Sequence, residues 1–204
     1  MSIQAVVLAA GEGMRLRPLT KNRPKVRLPA GNRPILEHVL DAVVGAGIRD
    51  ITVVVGYKKE QVLKFLNTYP VPVKTVVQSK QLGTFHALSC AKSEVTADRL
   101  LIVPGDNYVN AESIRALIRE ENGALVAPHK RPWDYGVITQ KEGILCSTNM
   151  HAHDVPSGSL VETGAYILGK KLYEAFFEID EPDKIVNDMP YTGHNVKVVE
   201  AKGW

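Results

Sequence analysis

Residues 8–20 decide how this chain folds, and they read Leu8-Ala9-Ala10-Gly11-Glu12-Gly13-Met14-Arg15-Leu16-Arg17-Pro18-Leu19-Thr20. The apolar run Ile3–Leu8 predicts a buried strand that leads directly into this stretch. Gly11 and Gly13 let the backbone turn sharply, so that amide N–H groups can converge on an anion. Arg15 adds a permanent positive charge that can hold phosphate oxygens. The stretch therefore predicts a phosphate-binding loop after the first strand.

The spacing of this loop separates it from two common nucleotide-binding loops. The order Gly11-x-Gly13-x-Arg15 is not followed by the Lys-Ser/Thr pair of a Walker loop. It also lacks the third glycine of the dinucleotide fingerprint, because position 16 is leucine. The spacing thus argues against a Walker-type nucleotide-binding protein and against a dinucleotide-binding protein.

Residues 9–20, together with Arg23-Pro24-Lys25, resemble the signature of the sugar-1-phosphate nucleotidyltransferases. Those enzymes join a nucleoside triphosphate to a sugar 1-phosphate and release pyrophosphate. The resemblance extends over the whole chain, through Pro34-Ile35-Leu36-Glu37, Gln81-Leu82-Gly83-Thr84, Gly105-Asp106, Tyr135-Gly136-Val137 and Glu162-Thr163-Gly164. It implies one nucleotidyltransferase domain over residues 1–204, with a nucleotide-binding half at 1–128 and a sugar-binding half at 129–204.

Composition excludes several other classes of protein. The chain has 204 residues, 45% of them hydrophobic, and its formal net charge of +3 is too small and too dispersed for a nucleic-acid surface. Cys90 and Cys146 are too few for a disulfide framework, and no leader pattern opens the chain, so we expect a cytoplasmic protein. No run approaches the ~20 apolar residues that cross a bilayer. The sequence is compatible with a monomer and with a homo-oligomer.

Short β-rich runs alternate with amphipathic segments in the first half, which predicts parallel strands joined by crossover helices. Expected strands are Ile3–Leu8, Ile51–Val55, Val73–Val77, Leu100–Val103 and Ala124–Ala127, and expected helices are Ile35–Ala46, Lys59–Leu66, Gly83–Ala91 and Ala111–Glu120. We therefore expect an α/β fold with a Rossmann-like, mostly parallel sheet and flanking helices. In such a sheet, ligands collect beyond the carboxyl ends of the strands.

The pattern is less regular after Pro128. Strands are expected at residues 136–139, Leu160–Leu168 and Val196–Glu200, with a helix at Lys171–Ile179 and a polar stretch between the first two strands. This half is expected to add a β element for the sugar pocket.

The resemblance implies a reaction in which the sugar phosphate attacks the α-phosphorus of the triphosphate, without a covalent enzyme intermediate. Arg15 is expected to hold the triphosphate and to stabilise the departing pyrophosphate. Lys25 is expected to face the phosphates between the two substrates. Asp106 follows an apolar strand, where its carboxylate can bind a Mg²⁺ cofactor that bridges phosphate oxygens.

The expected nucleotide-binding residues are Ala10, Gly11, Gly13, Gln78 and Gly83. Ala10 and Gly11 would close on the base and ribose from the first loop. The Gln78 amide has both a donor and an acceptor, which can pair with the imide edge of uracil or thymine. UTP or dTTP is therefore the expected donor.

For the sugar 1-phosphate, the resemblance points to Tyr135, Gly136, Glu162 and Thr163. Relatives contact hexose hydroxyls with backbone amides and side-chain acceptors at these positions. Tyr135 is equally compatible with a packing role.

Two departures from the family pattern bear on acceptor choice and turnover. Where many relatives carry a Glu-Lys-Pro segment, this chain reads Asn149-Met150-His151-Ala152-His153-Asp154 and lacks the lysine. The family also places a second metal-binding Asp or Asn after a strand that resembles residues 196–204, and this chain stops before that position. Asp183, Asn187 and Asp188 are only weak substitutes, because no spacing places them at the site.

The leading hypothesis is a Mg²⁺-dependent enzyme that makes a UDP- or dTDP-hexose. A noncatalytic nucleotide-binding or nucleotide-sugar-binding protein of the same fold is the alternative, motivated by the two departures. A cytidylyltransferase shares the glycine-rich loop but fits residues 16–20 and Gln78 less well.

Overall fold

The structure, a computed structural model, describes residues 1–149, 152, 154–178 and 195–203. Strands and helices alternate along most of the chain, as expected for an α/β fold. Their bounds, in chain order, are β1 (Ile3–Ala9), β2 (Pro29–Ala30), β3 (Arg33–Pro34), α1 (Ile35–Gly45), β4 (Ile51–Val55), α2 (Lys59–Leu66), β5 (Lys74–Val77), α3 (Gly83–Cys90), β6 (Arg99–Pro104), α4 (Ala111–Leu117), β7 (Gly123–Pro128), β8 (Val137–Lys141), β9 (Ile144–Asn149), β10 (Leu160–Gly169), α5 (Lys170–Phe177) and β11 (Lys197–Glu200).

The first part of the sheet is parallel, as the alternating pattern predicts. Strands β5, β4, β1 and β6 lie side by side in that order, and each neighbouring pair is parallel. Helices cover both faces of these strands, which is why β4 reads as a continuous run of buried β-branched residues. Their carboxyl ends meet at one edge, where the loop after β1 begins.

The expectation of a mostly parallel sheet is wrong for the sheet as a whole, which is mixed. The full order is β5-β4-β1-β6-β10-β7-β11-β9-β8, and β10 runs antiparallel to both β6 and β7. A buried strand reads as an apolar run whichever way its neighbours point, so the sequence did not reveal its direction. Because β10 lies between β6 and β7, a single sheet runs through both halves of the chain.

The polar stretch expected after residue 139 contains a strand. β9 pairs antiparallel with β8, although Cys146 and Ser147 in β9 are exposed. Polar residues on a solvent-facing hairpin weaken the periodicity by which a strand is recognised. The predicted helix at Lys171–Ile179 is present as α5, and Ile179 lies outside the described residues.

The hydrophobic core has two layers, one on each face of the sheet. Helices α1, α2 and α4 pack on one face through residues such as Leu40, Val62 and Ile114. Helices α3 and α5 pack on the other face through residues such as Phe85 and Phe176. In the part of the chain that the structure describes, no helix is both long and apolar enough to cross a membrane.

Truncation of Leu101 in β6 should destabilise the protein strongly. The side chain is 0% exposed, so Leu101→Ala leaves a cavity and should lower the free energy of unfolding by about 2–5 kcal/mol in urea denaturation. Leu19→Ala, at a position 66% exposed, is the matched control and should change it by less than about 0.5 kcal/mol. Equal losses in the two variants would contradict this account of the core.

Candidate active site

The loop after β1 lies between the residues that follow β4 and β6. The Gly105 amide donates to the Leu8 carbonyl at 2.8 Å, and the Tyr57 amide donates to the Ala10 carbonyl at 2.9 Å. A Cβ atom at Gly56 would stand 2.8 Å from that same Ala10 oxygen. The backbones therefore approach so closely that only glycine fits at position 56 without a shift.

Gly13 brings this loop into contact with Lys25. Its φ of +68° lies in the left-handed region, and an added Cβ would be 2.9 Å from the Lys25 Cβ. The buried Thr20 hydroxyl donates to the Gly13 carbonyl at 3.0 Å, and the Tyr57 hydroxyl donates to the Lys21 carbonyl at 3.0 Å. The loop is thus closed on itself and held against the residues that follow β4.

Lys25 and Asp106, both predicted to be catalytic, form an ion pair. The Lys25 Nζ lies 2.9 Å from the Asp106 Oδ2, and about a third of each side chain is exposed. Lys25 belongs to a 3₁₀ turn, Lys25–Arg27, whereas Asp106 follows β6. The structure therefore joins two residues that are distant in sequence at the carboxyl edge of the parallel strands.

Arg15 lies in a second 3₁₀ turn, Met14–Leu16, which begins directly after Gly13, and its side chain is exposed. Among the described residues no carboxylate pairs with it. The neighbouring Arg17 is bonded to Glu12. Arg15 is therefore the cation of this loop whose charge is available to an anion.

The predicted base-binding residue Gln78 is buried and partly committed to the fold. It is 3% exposed, and its amide nitrogen bonds the Gly83 carbonyl at 3.0 Å and the His86 Nδ1 at 2.9 Å. These bonds fix the first turn of α3, where Gly83 has a φ of +90°. In this arrangement both amide hydrogens have partners within the fold, so the Gln78 side chain does not present the donor–acceptor pair to a base. Ala10 is also buried, at 2% exposure, so it contributes shape rather than a polar contact.

The residues around Asp106 fit a Mg²⁺ ion whose other ligands come from phosphates and water. Asp106 supplies a hard carboxylate oxygen, which is the donor that this ion prefers. Among the residues that the structure describes, no three or more His, Cys, Asp or Glu side chains are grouped so that they could hold a metal ion. Residues after β11 dock nearby, since the Lys202 amide donates to the Ser113 Oγ at 2.8 Å and the Asn110 side chain bonds the Gly203 carbonyl at 3.2 Å.

The predicted sugar-binding residues fall into two groups. The Glu162 amide donates to the carbonyl of the buried Gly136 at 2.9 Å, and the Tyr166 hydroxyl bonds the Glu162 carboxylate. The Tyr135 ring packs against His129, with ring centroids 4.5 Å apart. The structure therefore brings Gly136 and Glu162 together, whereas the Tyr135 ring contacts His129.

Thr163 instead belongs to the sheet. It is 2% exposed, its hydroxyl donates to the Leu125 carbonyl at 2.9 Å, and its own carbonyl accepts from the Asn107 side chain at 2.7 Å. The Thr163 hydroxyl is therefore occupied by the backbone of β7, and a role of Thr163 in binding the sugar stays a prediction. Its effect on the site is to anchor the residue after Asp106.

Several candidates lie outside the described residues. These are Met150, His151 and His153 of the segment that departs from the family pattern, and the possible metal ligands Asp183, Asn187 and Asp188.

Three residues that support the site were not singled out from the sequence. Gly56 and Tyr57 follow a fully buried strand, which is the signal that could have marked them, because polar or glycine residues at a strand's carboxyl end often form sites. Thr20 ends the motif, but no local pattern shows that its hydroxyl closes the loop.

Comparison with known proteins assigns the chain to a family. A family model described as nucleotidyl transferase matches residues 4–190. The chain belongs to the nucleotidyl transferase family. This membership confirms the resemblance that the sequence motifs indicated.

Its relatives include a UTP–glucose-1-phosphate uridylyltransferase, AglF, of Haloferax volcanii, which is 29% identical over 99% of this chain and 89% of its own length. The bifunctional protein GlmU of Methanococcus maripaludis is 35% identical over 67% of this chain, which corresponds to 32% of that protein's length. A crystal structure of a putative glucose-1-phosphate thymidylyltransferase from Bacillus anthracis has a TM-score of 0.83 at 24% identity, and the match covers 100% of this chain and 88% of that one. This last likeness concerns the fold.

Substitution of Gly13 should destabilise the protein more than substitution of Gly11. Gly13→Ala places a side chain at φ +68° and 2.9 Å from Lys25, so we expect it to lose at least about 1–2 kcal/mol of unfolding free energy. Gly11→Ala is the control, because no atom lies within 4 Å of its added Cβ. Urea denaturation of both variants measures the difference, and comparable stabilities would refute the strained contact.

Proposed function

We propose that this chain transfers UMP or dTMP from UTP or dTTP to a hexose 1-phosphate and releases pyrophosphate. The observation that carries the proposal is the Lys25–Asp106 ion pair at 2.9 Å beside the glycine-rich loop. A lysine and a carboxylate at the carboxyl edge of parallel strands can position the phosphates and the metal of a phosphoryl-transfer reaction. Membership of the nucleotidyl transferase family and the uridylyltransferase named among the relatives support it.

In the proposed reaction, a phosphate oxygen of the sugar 1-phosphate attacks the α-phosphorus, and pyrophosphate leaves. Arg15 and the amides of residues 11–13 meet the negative charge that grows on the pyrophosphate. Lys25 holds a phosphate oxygen at the reacting centre and so reduces the repulsion between two anionic substrates. No side chain needs to form a covalent bond, since positioning and charge stabilisation supply the catalysis.

Asp106 would hold the Mg²⁺. When bound, this ion would supply positive charge to the phosphate oxygens of the donor. In its absence the Lys25 ammonium pairs with the Asp106 carboxylate and holds it in place. The Lys25 ammonium can therefore bind either the Asp106 carboxylate or a phosphate oxygen of the substrate.

For specificity, we propose that the donor base is read by the Gln78 carbonyl oxygen and by the backbone around Gly83. A single acceptor can bind the imide N–H of uracil or thymine. We propose glucose 1-phosphate or an N-acetylhexosamine 1-phosphate as acceptor, contacted by Glu162 and the backbone at Gly136. We also propose a cytoplasmic location, because Cys90 and Cys146 are free thiols, as in a reducing compartment.

A noncatalytic nucleotide-binding protein is the second candidate. The observation that favours it is that the described residues provide a single carboxylate, that of Asp106, at the proposed metal site. This hypothesis predicts nucleotide binding without release of pyrophosphate.

A panel of nucleoside triphosphates and sugar 1-phosphates, with released pyrophosphate as the readout, tests the function. UTP or dTTP should be the best donor, and Arg15→Ala should reduce kcat/KM by at least about a hundredfold, because a charged contact that strengthens in the transition state is lost.

Arg17→Ala is the matched control and should cost much less, since Glu12 already neutralises that arginine. A preference for ATP or GTP would contradict the role of Gln78. Binding of nucleotide with no turnover for any sugar phosphate would favour the noncatalytic alternative.

Removal of the Lys25 charge should raise the affinity of the nucleotide-free protein for a divalent metal. Lys25→Met frees Asp106 from an ion pair that is about one-third exposed, so we expect Mn²⁺ to bind about two- to fivefold more tightly while turnover falls. Titration with Mn²⁺ followed by electron paramagnetic resonance measures this affinity. Lys21→Met removes a charge of the same loop that is not paired with Asp106, and Asp106→Asn should abolish tight binding. If Lys21→Met gave the same gain as Lys25→Met, the ion pair would not be the cause.

A further inference from the structure

A second cationic surface lies on the side of segment 23–34 that faces α2. Four basic side chains, Arg23, Arg27, Arg33 and Lys64, line a groove of about 440 Å³, together with the Gln61 and Asn32 amides. We call it the basic groove. Its volume is within the range of small-molecule sites.

Most of the positive charge in the basic groove has no carboxylate partner. Arg33 is neutralised, because its guanidinium lies 2.6 Å from the Asp41 carboxylate and 3.3 Å from that of Glu37. Arg23, Arg27 and Lys64 form no ion pair with any carboxylate of residues 1–149, 152, 154–178 and 195–203. Three uncompensated cations therefore converge on one concave surface.

Arg27 is held in a position that favours an anion. Its guanidinium stacks on the Phe65 ring, 4.7 Å from the centroid, and the side chain is partly buried. Burial lowers the pKa of Arg27, and the charge of Arg23 lowers it further, with Glu37 acting in the opposite direction. A partly desolvated cation beside a second cation costs free energy, and an anion bound between them would offset that cost.

The basic groove is separate from the candidate active site, although one short segment joins them. Arg15 and Asp106 do not line it, and Asp106 instead lines another cavity together with Ala30 and Tyr108. Lys25 and Arg27 are the first and last residues of one 3₁₀ turn, and the Leu28 amide bonds the Lys25 carbonyl at 3.0 Å. A ligand bound to Arg27 would therefore contact the same turn that contains Lys25.

We propose that the basic groove binds a small molecule with two or more phosphate groups, as a second anion site distinct from the loop at residues 11–15. Three cations on different sides of a groove match several phosphate oxygens better than one carboxylate. A nucleic acid fits less well, because Glu37 and Asp41 border the groove and the net charge of the chain is only +3.

Calorimetric titration with inorganic tripolyphosphate, in buffer free of divalent metal, tests the proposal on the full chain. The groove variant Arg27→Gln/Lys64→Gln should bind at least about tenfold more weakly than the wild type at the groove site. The loop variant Arg15→Ala/Lys25→Met should keep that site. Lys141→Gln, an exposed lysine on β8, is the control for the loss of one positive charge.

The proposal is overturned if the groove variant binds tripolyphosphate as the wild type does, or if only the loop variant loses binding. It is also overturned if Lys141→Gln weakens binding as much as the groove variant, which would show nonspecific attraction. Tighter binding of a short oligothymidylate than of tripolyphosphate would replace the small molecule with a nucleic acid. Circular dichroism of each variant confirms that it is folded. Because no turnover is measured, the outcome does not depend on the proposed transferase activity.

Discussion

The left-handed turn at Gly13, pressed against Lys25, is the constraint on which the site depends. It lets the chain reverse directly after β1, and it leaves no room for a side chain between the loop and the Lys25 stem. The ammonium at the end of that stem then pairs with Asp106. The close approach of Gly13 to the turn at residues 25–27 and the ion pair of Lys25 with Asp106 thus connect the loop after β1 to the loop after β6.

The parallel strands explain why those segments meet. Parallel neighbours end at one edge, so the residues after β1, β4 and β6 must share a small space. Gly56 and Gly105 permit this approach, since a Cβ at either position would lie within about 3 Å of the backbone of residues 8–10. The antiparallel β10 adds a contact from the other half of the chain, because the Thr163 carbonyl holds the Asn107 side chain.

The sequence was sufficient for the turn after β1, for the parallel strands and for the position of Asp106 at the same edge of the sheet as that turn, because each depends on local pattern or on the general geometry of parallel sheets. The ion pair of Lys25 with Asp106 was not predicted. It was not sufficient for β9 or for the direction of β10, whose patterns are compatible with several arrangements. It also did not reveal the intramolecular hydrogen-bond partners of Gln78 and Thr163. Whether an amide or hydroxyl faces a ligand or the backbone depends on tertiary neighbours, here Gly83, His86 and Leu125, which a residue's type does not reveal.

Charge pairing separates the cations of this surface into those that hold the fold and those that can hold a ligand. Arg17 and Arg33 each pair with a carboxylate, so their charges are largely neutralised within the protein. Lys25 is paired with Asp106, which is also the proposed metal ligand. A metal ion bound to Asp106 would release the Lys25 ammonium to bind a phosphate. Arg15, Arg23, Arg27 and Lys64 have no carboxylate partner among the described residues. Unpaired cations gathered on one face repel one another, and an anionic ligand bound at each place would offset that repulsion.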